Sequence, residues 1–117
     1  MITLLVNESC SKSRCAMQYA QELLPQAVQL RHYIQQPLSR EELAELIDKL
    51  QEPAHQLIRN ADKLALSKPL AELSKEEIIE ILMQDPHLLQ RPILIDGAKA
   101  YIARPPEKVQ SYLTERY

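Results

Sequence analysis

The sequence predicts an α/β fold, with a four-stranded mixed sheet flanked by helices, and three features of the chain predict it. Residues 2–6 (Ile-Thr-Leu-Leu-Val) are a short apolar run, as expected of a central strand covered on both faces. An amphipathic helical pattern and then an alternating segment follow it directly, so the chain opens strand–helix–strand. Such a unit is parallel and right-handed. Near the other end, Ile93-Leu94-Ile95 and Ala100-Tyr101-Ile102 flank Asp96-Gly97, a strong hairpin signal.

The elements follow in order. Helical spacing over residues 13–24 puts Ala16, Met17, Ala20, Leu23 and Leu24 on one buried stripe, and Pro25 is expected to stop the helix. Val28, Leu30 and His32 alternate with Gln29, Arg31 and Tyr33, which reads as the second strand. Ser39-Arg40-Glu41-Glu42 and Ser74-Lys75-Glu76-Glu77 are capping boxes, each ahead of apolar residues at helical spacing. A shorter helical turn is expected over residues 55–60, and Asp85-Pro86 ends the later helix. Arg104-Pro105-Pro106 closes the last strand, and Val109, Tyr112 and Leu113 mark a final helix. The order is β-α-β, a helical insert over about residues 39–86, then a hairpin and a closing helix. That is the thioredoxin-like order.

At 117 residues the chain is expected to be one domain, residues 1–117, able to bury a core without staples. Phe and Trp are absent, so Leu, Ile, Val, Met and five Tyr must build that core. A net charge of -2 argues against a nucleic-acid or membrane surface. No window approaches the 18 to 20 apolar residues of a membrane span, on the scale of about 30 Å of hydrocarbon. The N-terminal residues lack the basic start of a signal peptide. A cytoplasmic, reducing location is therefore expected, where a cysteine stays free. Two cysteines make neither a disulfide framework nor a zinc shell, so no metal and no bound cofactor are expected.

Cys10 is the residue that points to chemistry. It falls where the first strand ends and the first helix begins. Backbone N–H groups at a helix start are unpaired and carry partial positive charge, which favours a thiolate. An ordinary cysteine near pKa 8.5 is roughly 3% thiolate at pH 7. Lys12 and Arg14 are expected to lower the value further. The bland alternative is a small buried apolar residue, but Ser11, Lys12, Ser13 and Arg14 are polar company for a core cysteine. Cys15 lies inside the predicted helix, and Ser13 breaks any Cys-x-x-Cys spacing. Cys15 reads as a packed or half-exposed helix residue, or as a second thiol that acts only if the first turn rearranges.

Arg59, Arg91 and Arg104 sit at element edges, two of them before proline. Each alone reads as a solvated charge. A proline holds the residue before it extended, and thioredoxin-like proteins have a cis-proline facing the active cysteine at the start of the third strand. In that fold Arg91 would point at the thiol. Guanidinium groups bind tetrahedral oxyanions by paired hydrogen bonds. Asn7 could donate to the sulfur or serve its own loop, and His32, His55 and His87 show no metal or triad spacing.

Four motifs together resemble the glutaredoxin-linked arsenate reductase family. They are Asn-x-x-Cys-Ser-Lys-Ser-Arg at residues 7–14, Leu57-Ile58-Arg59, the run Asp85-Pro86 through Arg91-Pro92-Ile93, and Arg104-Pro-Pro-Glu-x-Val at residues 104–109. The resemblance implies an oxidoreductase in which the Cys10 thiolate attacks arsenate held by Arg59, Arg91 and Arg104, with Asn7 and Ser13 completing the substrate site. It further implies glutathione as co-substrate and glutaredoxin as the partner that regenerates the thiol. Val6 and Glu8 replace the family's usual His and Pro. Losing a histidine and gaining a carboxylate are expected to raise the thiol pKa. The alternatives are a glutathione-linked thiol-redox protein that does not use arsenate, and an Spx-like redox regulator that binds RNA polymerase.

Overall fold

The computed structural model describes residues 2–23, 28–60, 64, 66–105 and 107–116. Strands β1 (Ile2–Val6), β2 (Val28–His32), β3 (Ile93–Asp96) and β4 (Lys99–Ile102) form one sheet in the order β2-β1-β3-β4. β1 and β2 are parallel, while β3 runs antiparallel to β1 and β4, so the sheet is mixed as expected. Helices α1 (Ser11–Leu23), α2 (Arg40–Lys49), α3 (Lys75–Gln84) and α4 (Glu107–Arg116) flank it. Among the described residues, the segments between β2 and β3 hold α2, α3 and three short 3₁₀ turns.

The central strand divides the core, because successive strand side chains point to opposite faces. Ile2, Leu4 and Val6 are fully buried beside Ala16 and Ala20 of α1 and Val109 and Leu113 of α4. Leu5 points the other way, into a cluster with Leu43 and Leu46 of α2 and Ile78, Ile79 and Leu82 of α3. Each of the Ile, Leu and Val side chains contributes about 1.5–3 kcal/mol of burial. Among the described residues, no helix is long and apolar enough to cross a membrane.

Register decides where the site lies. Val6 pairs with His32, Leu5 with Ile93, and Ile93 with Ile102. The end of β1, the start of β3 and the end of β4 therefore meet at one end of the sheet. Cys10, Arg91 and Arg104 extend from those three strand ends.

Several boundaries differ from the sequence reading. α1 begins at Ser11, two residues early, since a polar first turn gives no apolar signal. Leu24, Pro25 and Pro106 lie outside the described residues. β2 ends at His32, and Tyr33 is 1% exposed rather than an outward strand residue. The helical turn expected over 55–60 is a 3₁₀ turn, Ala54–Leu57. It stops there because Ile58 pairs with Leu89 instead of continuing the turn. In the hairpin, Asp96 pairs with Lys99, so the turn residues are Gly97 and Ala98. Gly97 has φ +58°, which only a residue without Cβ adopts freely. Both capping boxes form as predicted.

Candidate active site

Cys10 takes the N-cap position of α1. Its carbonyl oxygen accepts from the Arg14 N–H at 3.0 Å, the first helical bond, and its own N–H donates to the Asn7 carbonyl at 2.9 Å. The sulfur accepts from the backbone N–H groups of Ser13 and Lys12. Side chains at an N-cap ordinarily accept from these two helix positions. Partial burial pushes the thiol up, but the Ser13 N–H, the Arg91 guanidinium and the Lys12 N–H outweigh it. The net result is a drop from an ordinary value near 9 to about 7. About half of the thiol is then ionised at pH 7, against about 1% at the ordinary value near 9.

The cations expected to assist are only partly those that do. Lys12 acts through its backbone N–H, and its side chain is exposed. Arg14 is engaged elsewhere, its Nη1 donating to the Glu8 carbonyl at 2.8 Å.

Ser13 and Asn7 build the loop. Ser13 is fully buried, and its Oγ accepts from the Asn7 N–H at 3.1 Å. The Asn7 Oδ1 accepts from the Ser9 N–H at 3.1 Å and the Ser9 hydroxyl at 2.7 Å. Of the two roles open to Asn7, the side-chain oxygen fulfils the loop role. The group that Ser13 turns toward Cys10 is its N–H, not its hydroxyl.

The thiol shift is downward overall, and neither Val6 nor Glu8 is among its principal causes. Val6 is core, with no exposed surface. Glu8 is exposed and lies 3.3 Å from the Nδ1 of His32, the residue opposite Val6 on β2. The nearer backbone donors and Arg91 control the thiol.

A two-bond ladder sets the arginines. The Arg59 N–H donates to the Leu88 carbonyl at 2.8 Å, and the Gln90 N–H to the Leu57 carbonyl at 2.7 Å. Ile58 and Leu89, both buried, pair between these bonds. Arg59 is followed by Asn60 at φ +53°, a conformation asparagine tolerates better than most residues. Arg91 Nη1 donates to the His87 carbonyl at 2.7 Å, and its guanidinium faces the Cys10 sulfur. The Arg91–Pro92 and Arg104–Pro105 bonds are cis. Buried Nε–H groups of both Arg59 and Arg91 have no hydrogen-bond partner among the described residues. Arg104 stands behind Arg91: its Nη1 donates to the Arg91 carbonyl at 3.0 Å and to Gln90 Oε1 at 2.9 Å.

Sequence reasoning missed Tyr33. Its buried phenol feels the charges of Arg91, Cys10 and Arg59. The signal lay in a residue just past a strand end, where alternation stops being informative. Cys15 is half-buried on α1, and its sulfur hydrogen-bonds with Tyr19 one turn on, raising that phenol's pKa.

The mixed sheet and the cysteine at the N-cap of its first helix define a thioredoxin-like thiol protein. The chain belongs to the ArsC family, whose family model matches residues 5–112. It is 34% identical to an arsenate reductase of Haemophilus influenzae over 92% of this chain and 94% of the relative. It is also 27% identical to a global transcriptional regulator Spx of Streptococcus pyogenes, over 100% of this chain and 88% of the regulator. The solved arsenate reductase from Vibrio cholerae superposes with a TM-score of 0.75 at 29% identity, covering 94% of this chain and 95% of that one.

Proposed function

We propose that the protein reduces arsenate to arsenite with the Cys10 thiolate as nucleophile and glutathione as electron source. The observation that carries this reading is a thiol lowered to about 7 and faced by Arg91, whose buried Nε–H, like that of Arg59, has no partner among the described residues. A buried donor left unmade costs about 1–3 kcal/mol, which a bound oxyanion would recover. The arsenate reductases among the relatives support the choice of anion.

In this mechanism the Cys10 sulfur displaces an oxygen of arsenate, which leaves as water after protonation. Arg59, Arg91 and Arg104 balance the oxyanion charge. Glutathione then attacks the Cys10 sulfur; the S–S bond forms, the S–As bond breaks, and its electron pair leaves with arsenic as arsenite. Glutaredoxin reduces the Cys10–glutathione disulfide. A cleft of about 540 Å³, lined by Arg104, Lys108, Gln90 and Glu52, offers two cations for the glutathione carboxylates. Asn7 and Ser13 shape the loop that presents the sulfur. The reaction belongs in a cytoplasmic, reducing setting.

Turnover of arsenate by the purified protein with glutathione and glutaredoxin tests this reading. No turnover, from protein whose Cys10 is still reactive, would overturn it. In that event, reduction of a glutathione mixed disulfide would leave the thiol-redox reading.

The full-length match to Spx regulators supports a second reading, a redox regulator that binds RNA polymerase. Against it stands Ser13, buried and bonded where a Cys-x-x-Cys switch needs a second thiol. Recovery of RNA polymerase subunits on the immobilised protein would revive it.

A further inference from the structure

Tyr33 is a buried polar group with no role in the mechanism above. It follows β2, is 1% exposed, and its ring shares an apolar wall with Leu43, Leu82 and Leu89. A phenol so placed needs a partner for its hydroxyl. The hydroxyl donates to the Leu89 carbonyl oxygen at 3.4 Å. That same oxygen is 3.5 Å from Arg91 Nη1, whose shorter bond, 2.7 Å, is to the His87 carbonyl. The Arg91 charge also acts on the phenol. Tyr33, Leu89 and His87 therefore surround the inner side of the guanidinium, leaving its other side toward Cys10.

We infer that Tyr33 is a positioning residue: its hydroxyl and the Leu89 carbonyl hold the Arg91 guanidinium in the orientation that faces the thiolate. A guanidinium fixed in advance stabilises charge more than one that must be ordered when the charge develops. Phenylalanine fills the same volume but has no hydroxyl to donate to the Leu89 carbonyl. The burial that raises the Tyr33 pKa keeps the phenol neutral, so it serves as a fixed dipole.

The test is Tyr33→Phe in a Cys15→Ser background, read by the pH dependence of Cys10 alkylation. One hydrogen bond of about 1 kcal/mol corresponds to roughly fivefold, so about fivefold less thiolate is expected at pH 6. Because Tyr33 acts through Arg91, the same change added to Arg91→Ala should shift the profile no further. A merely structural residue would give an additive shift or none. An unchanged profile in Tyr33→Phe, or an undiminished shift in the Arg91→Ala background, overturns the inference. A second readout needs no variant. The Arg91 Nε–H of the wild-type protein should exchange slowly with solvent, and exchange as fast as a surface arginine's would contradict its fixed position. The inference rests on Cys10 as the nucleophile. None of these readouts requires arsenate turnover, so a protein inactive on arsenate could still sustain it, and an active one could refute it.

Discussion

Three helices of this protein begin with the same electrostatic problem and two different answers. α2 and α3 begin with Ser39 and Ser74, whose hydroxyls accept from the N–H of Glu42 and Glu77, while those glutamates bond back to the serine N–H. Both boxes place two acidic residues in the first turn. α1 has no acidic residue there. Its cap is Cys10, whose sulfur takes the place of the serine hydroxyl, and its third residue is Ser13 rather than glutamate. The Cys10 N–H goes to Asn7 instead. Removing the carboxylate leaves the partial positive charge of the helix start available to the thiolate. A structural cap and a reactive one thus differ by the acceptor atom and by whether a carboxylate competes for the same donors.

The largest expected effect on this comparison comes from Cys10→Ser, which makes the α1 cap resemble the other two. The helix should persist by circular dichroism, while the arsenate reduction proposed above falls by at least about 10³-fold. Next is Arg91→Ala in a Cys15→Ser protein. Losing the guanidinium should raise the alkylation midpoint from near 7 by about one unit; no change would assign the whole shift to the backbone donors. The reciprocal graft sharpens the contrast. Ser39→Cys, with Cys10→Ser and Cys15→Ser, should titrate near about 8.5 because Glu42 remains, and adding Glu42→Gln should bring it down by about half a unit.

Smallest is the structural cap itself. Ser74→Ala should cost about 1 kcal/mol in urea unfolding. Glu77 is held at about 2, first by Lys68 and then by the Ser74 N–H. Its folded pKa lies below the unfolded value of about 4.3. Its stabilisation is therefore present above that value and is lost as pH falls through 2. Glu77→Gln should be less stable than wild type at pH 7, and the difference should vanish only below about pH 2.

Much of this was legible in the chain. The apolar run of β1, the two capping boxes and the Asp-Gly hairpin signal are local, and local physics determined them. Cys10 was legible for the same reason, since the change from strand to helix pattern marks a helix start. The arginines were legible as residue types but not as an arrangement. The segments that carry Arg59 and Arg91 are joined by the ladder between residues 57–59 and 88–90, a contact about 30 residues apart in sequence that no periodicity reports. Tyr33 was illegible because its burial depends on α2 and α3 folding over it. The pairing of Glu8 with His32 was illegible because His32 lies on the neighbouring strand.

The measurement that tests the account most directly is the pH dependence of Cys10 alkylation in Cys15→Ser protein, with and without arsenate. The account predicts a midpoint near 7, with the rate rising from acid to a plateau above it, and slower reaction when arsenate is bound. A midpoint at or above about 8.5, with no protection by arsenate, would contradict both the activated cap and the oxyanion site beside it.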